Sequence, residues 1–281
     1  MGNGNLWILL FVACIIGIRY LRLPLQVKET VWIDPRPVPL EDPPTVEQGT
    51  EVSKFFEKVE QFELLGYRKE KLIVFSEITP NSIVFVQPFR NFEEVCVGSL
   101  VVTLQKEGDS WRVVDKRIGF QTSFSDESAI ASGFSLTQEM LGPPEGHESF
   151  LVPWTQDVAQ LNSIHQRLVG YFGRNQVKVD IVAENYNGDM TKALVERSWA
   201  DWQRYSESKY FYLEKGHKHS VSDSTQTSTN PYAAPTVSPQ SDRLLLNYRG
   251  AYLLTWGILF PFKQILRWNG GRKTKRVLRR C

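Results

Sequence analysis

The sequence predicts an α+β fold: an antiparallel β-meander of about five strands covered by two or three amphipathic helices. An N-terminal membrane anchor and a second apolar segment near the C-terminus flank it. Short apolar runs alternate with turn residues between 71 and 136, apolar residues recur at helical spacing near 50–65 and 155–172, and uncharged or nearly uncharged apolar runs occupy both ends.

The first apolar run, Leu6 to Ile18, contains thirteen residues and no charge. A spanning helix needs about 20 mostly apolar residues, so the run spans only if Gly4 and Asn5 join it and Arg19 and Arg22 snorkel beyond Tyr20 and Leu21. A cleaved signal peptide is the rival reading, but no Lys or Arg precedes the run and no small-x-small cleavage pattern follows it. Position 6 is Leu rather than Ser or Thr, which excludes myristoylation at Gly2. The anchor residues are therefore expected to be Leu6, Trp7, Phe11 and Ile18 with Arg19 and Arg22 at the boundary. Basic residues follow the run and none precedes it, so the charge rule predicts a single pass with a cytoplasmic body.

Charge is segregated along the 281 residues. Residues 1–28 hold three basic residues and no acid, and residues 243–281 hold ten basic residues and no acid. Residues 29–242 carry the other 20 basic residues against all 31 acidic ones, a net charge of −11. An acidic body excludes nucleic acid as its partner, since a phosphate-binding face needs net positive charge. Basic ends fit an anionic lipid leaflet. The three cysteines, Cys14, Cys96 and Cys281, form neither a disulfide framework nor a Cys-x-x-Cys pair.

Five segments follow: an anchor with its basic flank over 1–28, a Pro-rich spacer over 29–49, an acidic α+β domain over 50–215, a disordered linker over 216–241, and an apolar helix with a basic tail over 242–281. The spacer contains Pro35, Pro37, Pro39, Pro43 and Pro44, which exclude a helix or a central strand. The domain opens with a helix capped by Thr50, its stripe made of Val52, Phe55, Phe56, Val59 and Phe62. Lys71–Ile78 and Ile83–Phe89 follow as strands about the turn Thr79-Pro80-Asn81-Ser82. In the longest strand, Val95–Gln105, the face of Cys96, Gly98, Leu100, Val102 and Leu104 is the more apolar and belongs to the core. A hairpin at Glu107-Gly108-Asp109 leads to a strand in which Val114, Ile118, Phe120, Thr122 and Phe124 share a parity, with Gly119 as the place for a bulge. Ser128–Leu136 completes the meander.

Met140 to Pro153 reads as a breaker-rich loop, and a helix follows from about Thr155 to Phe172 with Val158, Leu161, Ile164, Leu168, Val169 and Phe172 as its buried side. Val177–Ala183 reads as an edge strand or short extension. Asn187-Gly188-Asp189 starts a last helix, from Met190 to about Tyr212, with the aromatic cluster Trp199, Trp202, Tyr205, Tyr210, Phe211 and Tyr212. They either pack on the sheet or form an interface. Ser, Thr, Pro and Gln dominate 216–241, a disordered composition.

The second apolar stretch, Leu244 to Phe262, has Arg249 inside it, which is expensive at membrane depth. An interfacial helix is favoured, built on Leu253, Leu254, Trp256, Ile258, Phe260 and Phe262. Two spans with an extracytoplasmic body form the alternative, and burial of the stretch against the body is the third reading. The tail supplies Arg272, Lys273, Lys275, Arg276, Arg279 and Arg280.

No phosphate loop, dinucleotide fingerprint, zinc motif or nucleophile elbow is present. His165 sits mid-helix, His147 in the breaker-rich loop, and His217 and His219 in the linker. The sequence therefore predicts no catalytic residue, metal or cofactor. A membrane-tethered protein-binding or scaffold module, with an unidentified protein and anionic lipid as partners, is the reading. A membrane-associated hydrolase or lipid-handling enzyme using His165 or His147 as base, and a structural subunit of a membrane assembly, are the alternatives.

Overall fold

The computed structural model describes residues 7, 14, 17–18, 31–33, 37–40, 55–76, 82–107, 110–134, 143–214, 243–251 and 262–281. In chain order the elements are β1 (Val31–Ile33), β2 (Pro37–Leu40), α1 (Lys58–Leu64), β3 (Arg68–Lys69), β4 (Leu72–Ser76), β5 (Ser82–Asn91), β6 (Cys96–Glu107), β7 (Ser110–Phe124), β8 (Ala129–Gly133) and β9 (His147–Leu151). They continue as α2 (Val158–Phe172), β10 (Lys178–Val179), α3 (Ile181–Tyr186), α4 (Met190–Ser206), β11 (Phe211–Glu214), β12 (Arg243–Leu246) and α5 (Phe262–Leu278). The fold is mixed α+β around a mainly antiparallel sheet.

That sheet has nine strands, more than the sequence pattern indicates, with the path β2-β4-β5-β6-β7-β8-β9. Strand β3 pairs with β5 and β10 with β7. The short β9 pairs in parallel with β8. Its five residues lie just after Pro143, Pro144 and Gly146, so the breakers mask it in the sequence. The proline-rich segment also contributes a strand, since Pro37–Leu40 pairs with β4 at the edge of the sheet. Pro37 and Pro39 share one parity, and one parity of an edge strand points its N–H groups away from its neighbour, where proline loses nothing.

The core lies between one sheet face and helices α1 and α2. Cys96, Leu100, Val102 and Leu104 of β6 are buried, together with Ile118, Phe120, Thr122 and Phe124 of β7. Val114 breaks the expected parity. A register shift opposite Thr103 and Leu104 pairs Leu104 with Val113, leaving Val114 as the extra residue of a bulge. Val113 therefore packs against the core, while Val114 is 45% exposed. Phe62 of α1 stacks on Phe89 with ring centroids 4.2 Å apart, over Gly98, where a Cβ would collide with the Phe62 ring. From α2, Val158, Leu161, Ile164, His165, Leu168 and Val169 are buried.

A second, smaller core belongs to a three-stranded sheet of order β1-β12-β11. Tyr205, Phe211, Leu244, Leu246 and Ala251 form it, with Trp202 and Tyr210 packed alongside. The aromatic run thus divides between the end of α4 and β11, and Tyr205 meets Phe211 at 5.6 Å.

The membrane-spanning topologies are corrected. Among the described residues no helix is long and apolar enough to cross a membrane. This overturns both the single-pass placement and the two-span alternative. In the second apolar stretch, Leu244 to Leu246 are extended in β12, and Leu244 and Leu246 are buried within the protein. Helix α5 has only 17 residues and contains Lys263, Arg267, Arg272, Lys273, Lys275 and Arg276, a charge density incompatible with hydrocarbon. In the first apolar stretch Trp7 and Ile18 are helical and exposed, at 70% and 53%. Leu6, Phe11, Arg19, Arg22, Leu253, Leu254, Trp256, Ile258, Phe260, the Thr50 cap and the 216–241 linker lie outside the described residues.

Helix α5 instead covers the free edge of β9. Thr274 is fully buried and donates to the carbonyl of Leu151 at 2.8 Å. A Cβ on Gly270 would lie 3.1 Å from Leu151, and one on Gly271 would lie 3.0 Å from Pro153, so the absence of side chains permits the close approach. Val277 and Leu278 join the main core at its rim. An exposed strand edge invites pairing with other chains, and a helix laid over it is one of the ways proteins blunt that hazard.

Candidate functional site

Two places gather chemically active side chains: a buried polar row beneath α2 and a cationic surface where α2 meets α5. The row begins at Asn162, whose side-chain oxygen accepts from the Tyr67 hydroxyl at 2.8 Å. The buried Cys96 thiol lies beside Tyr67 and Thr122 and donates to the Val97 carbonyl at 3.8 Å. Thr122 Oγ1 lies 3.0 Å from His165 Nε2, and Ser132 Oγ lies 3.0 Å from His165 Nδ1. Alternation along β6, β7 and β8 points Cys96, Thr122 and Ser132 to the core, where Thr122 and Ser132 meet His165 of α2 and Tyr67 meets Asn162 three residues earlier on the same helix.

Burial sets the chemistry of this row. Thr122, Ser132 and His165 are fully buried, and each polar atom is satisfied by a neighbour rather than by water. Burial, aided by the charge of Lys178, lowers the His165 pKa to about 3. Neutral imidazole between two hydroxyls donates from one ring nitrogen and accepts at the other. Burial raises Cys96 to about 11 and raises Tyr67 above its ordinary value. An imidazole with so low a pKa is a poor base near neutrality, and a thiol at 11 is un-ionised there. The row is a packing device that fixes the register of α2 on the sheet. The hydrolase alternative loses His165 as its base on these grounds.

His147 is half-buried at the start of β9. Burial lowers its pKa first, and the charges of Arg197 and Arg204 lower it further against the opposing effect of Asp201. Among the described residues no group of three or more His, Cys, Asp or Glu side chains is placed to hold a metal.

The cationic surface is built on α5. Its buried side is Gly271 and Thr274, its exposed side carries Arg272, Lys273, Lys275 and Arg276, and Arg279 and Arg280 are exposed in the turn just past its end. Two of these cations lie on aromatic faces of the body, Lys275 at 4.8 Å from Trp154 and Lys273 at 5.5 Å from Phe150, while Arg272 lies 4.3 Å from the Trp268 ring one turn earlier in α5. Lys273 also reaches Glu148 at 3.4 Å, a pair more than half exposed on both sides and worth little to stability. Exposed Ile265, Leu266 and Trp268 precede the cations on the same helix.

At the end of α5 a shallow groove of about 540 Å³ opens against α2, lined by Arg167, Gly170, Tyr171, Arg174, Arg280 and Cys281. Arg167 donates to the Leu278 carbonyl at 2.8 Å and so neutralises the C-terminal end of α5. Arg174 lies 4.9 Å from the Tyr171 ring and donates from Nε to the Tyr171 carbonyl. The sequence reading found the tail but not its partner arginines. Arg167 lies on an exposed face of α2 and Arg174 in the turn just after it, a pattern that resembles any solvated surface until α5 is placed beside it. Compared with protein-family models, curated proteins and solved structures, the chain matches none.

Proposed function

We propose that this protein is a non-enzymatic protein-binding or scaffold module whose docking surface is the exposed side of α5. The observation that carries the reading is the seating of α5: Thr274 and the two glycines fix the helix to β9, so that six cations are displayed from a rigid platform. Pre-organised charge loses less entropy on binding than charge on a flexible tail. The acidic remainder of the chain supports a partner that meets this surface locally rather than a long polyanion wrapping the protein.

A photo-crosslinking residue at Lys275 tests the reading in cells that make the protein, with the same residue at exposed Lys69 as control. One discrete protein adduct from position 275, absent at 69 and weakened by R276E/R279E, is the expected result. No adduct at 275, or the same adduct from both positions, overturns it.

A further inference from the structure

We infer that the groove between α2 and the end of α5 receives an acidic stretch of the partner polypeptide, whose carboxylates pair with Arg167, Arg174 and Arg280. The inference rests on the protein-binding reading and names the chemistry of the partner.

The lining is three guanidinium groups, one aromatic ring and two small residues, with no acidic side chain. Among the described residues, none of the three arginines forms an ion pair with Asp or Glu. All three are exposed. Two are already oriented: one N–H of Arg167 is spent on the Leu278 carbonyl, and Arg174 is held by Tyr171. A guanidinium has five N–H donors in a planar fork that matches a carboxylate, so most of this donor capacity faces the groove unspent. Between Arg167 of α2 and Arg174 just past its end stands Gly170, above which a Cβ would meet nothing within 4 Å. The bare helix backbone there leaves an extended chain room to approach.

Shape and charge select the occupant. A concave groove between two helices admits a polypeptide segment, whereas a bilayer surface presents a plane of headgroups. The net charge of −11 on residues 29–242 repels an extended nucleic acid. A short acidic segment avoids that penalty.

The test uses the full chain and fluorescence anisotropy with two labelled peptides of equal length, one alternating Glu with Gly and one alternating Gln with Gly. The Glu peptide binds, and the Gln peptide binds about tenfold or more weakly. R174E/R280E lowers affinity for the Glu peptide by about tenfold or more, and raising salt from about 50 to about 300 mM lowers it for the wild type. Gly170→Leu, which leaves charge unchanged and enters open space, weakens the same peptide by filling the groove.

Equal binding of both peptides, or indifference to both variants, overturns the assignment. So does binding to phosphatidylserine vesicles in place of the peptide, or self-association of the chain that R174E/R280E abolishes without any peptide binding. Loss of peptide binding with a retained Lys275 adduct would refute the groove alone, while absence of the adduct refutes the reading beneath it.

Discussion

Thr274 of α5 and Leu151 of β9 are joined by a hydrogen bond of 2.8 Å, from a fully buried hydroxyl to the carbonyl at the end of the edge strand. The same hydroxyl lies 3.0 Å from the Gly270 carbonyl one turn earlier. One side chain thus ties a helix both to itself and to the sheet. Thr274→Val keeps the shape and removes the donor, leaving the Leu151 carbonyl buried without it. An unsatisfied buried acceptor costs about 1–3 kcal/mol. Urea unfolding should show a lower midpoint by that amount, and limited proteolysis should cut α5 earlier than in the wild type.

Gly98 is pressed under the Phe62 ring, which is itself stacked on Phe89. Gly98→Ala forces a methyl group into a fully packed site, and overpacking of this kind costs about 1–3 kcal/mol. The strand gains slightly from alanine's lower backbone entropy, so the measured loss reports the collision. A thermal melt of the variant should fall below that of the wild type, and an unchanged or higher midpoint would contradict the packing.

His165 makes stability depend on pH. In the unfolded chain it takes up a proton as pH falls below its ordinary 6.5, whereas in the fold it stays neutral down to about 3. The unfolded state binds more protons across that window, so stability falls as pH is lowered through it. This one group contributes a slope approaching about 1.4 kcal/mol per pH unit. His165→Gln cannot titrate, and its unfolding free energy should vary less steeply between pH 6.5 and 4 by up to that slope. Parallel curves for the two proteins would show that His165 is not held neutral.

Asp157 caps α2, its carboxylate accepting from the Gln160 backbone N–H at 2.7 Å. Asp157→Ala removes both the bond and a negative charge at the positive end of the helix dipole, at a cost of about 1 kcal/mol. Because α2 carries Asn162 and His165, hydrogen exchange should accelerate along its first turn before it does in β6.

The meander and its inward face were legible because alternation is a direct consequence of the strand period: Cys96, Leu100, Val102 and Leu104 lie on the side their parity predicts. The α2 stripe was legible for the same reason at helical spacing, although Phe172 at its end is exposed rather than buried. What escaped depends on partners distant in sequence. Val114 changes face because a bulge opposite Thr103 inserts one residue, and no local pattern announces it. Pro37–Leu40 and His147–Leu151 become strands only because β4 and β8 lie beside them. Apolar Leu244 and Leu246 have the composition of a membrane segment, but β11 and α4 supply a protein surface that buries them. At the candidate site, Arg280 was visible as part of a basic tail, and Arg167 and Arg174 were not. Their meaning comes from a helix that begins about 90 residues later.

The covering of β9 by α5 sets an order in time. Strand β9 is complete at Leu151, and the helix that shields it starts at Phe262. During synthesis the edge stays bare while more than a hundred further residues are added, on the order of ten seconds at typical elongation rates. For that interval the nascent sheet offers an open strand to any neighbouring chain. The interval closes only once Thr274 has been made, which leaves a helix translated more than a hundred residues later as the guard of the sheet's edge.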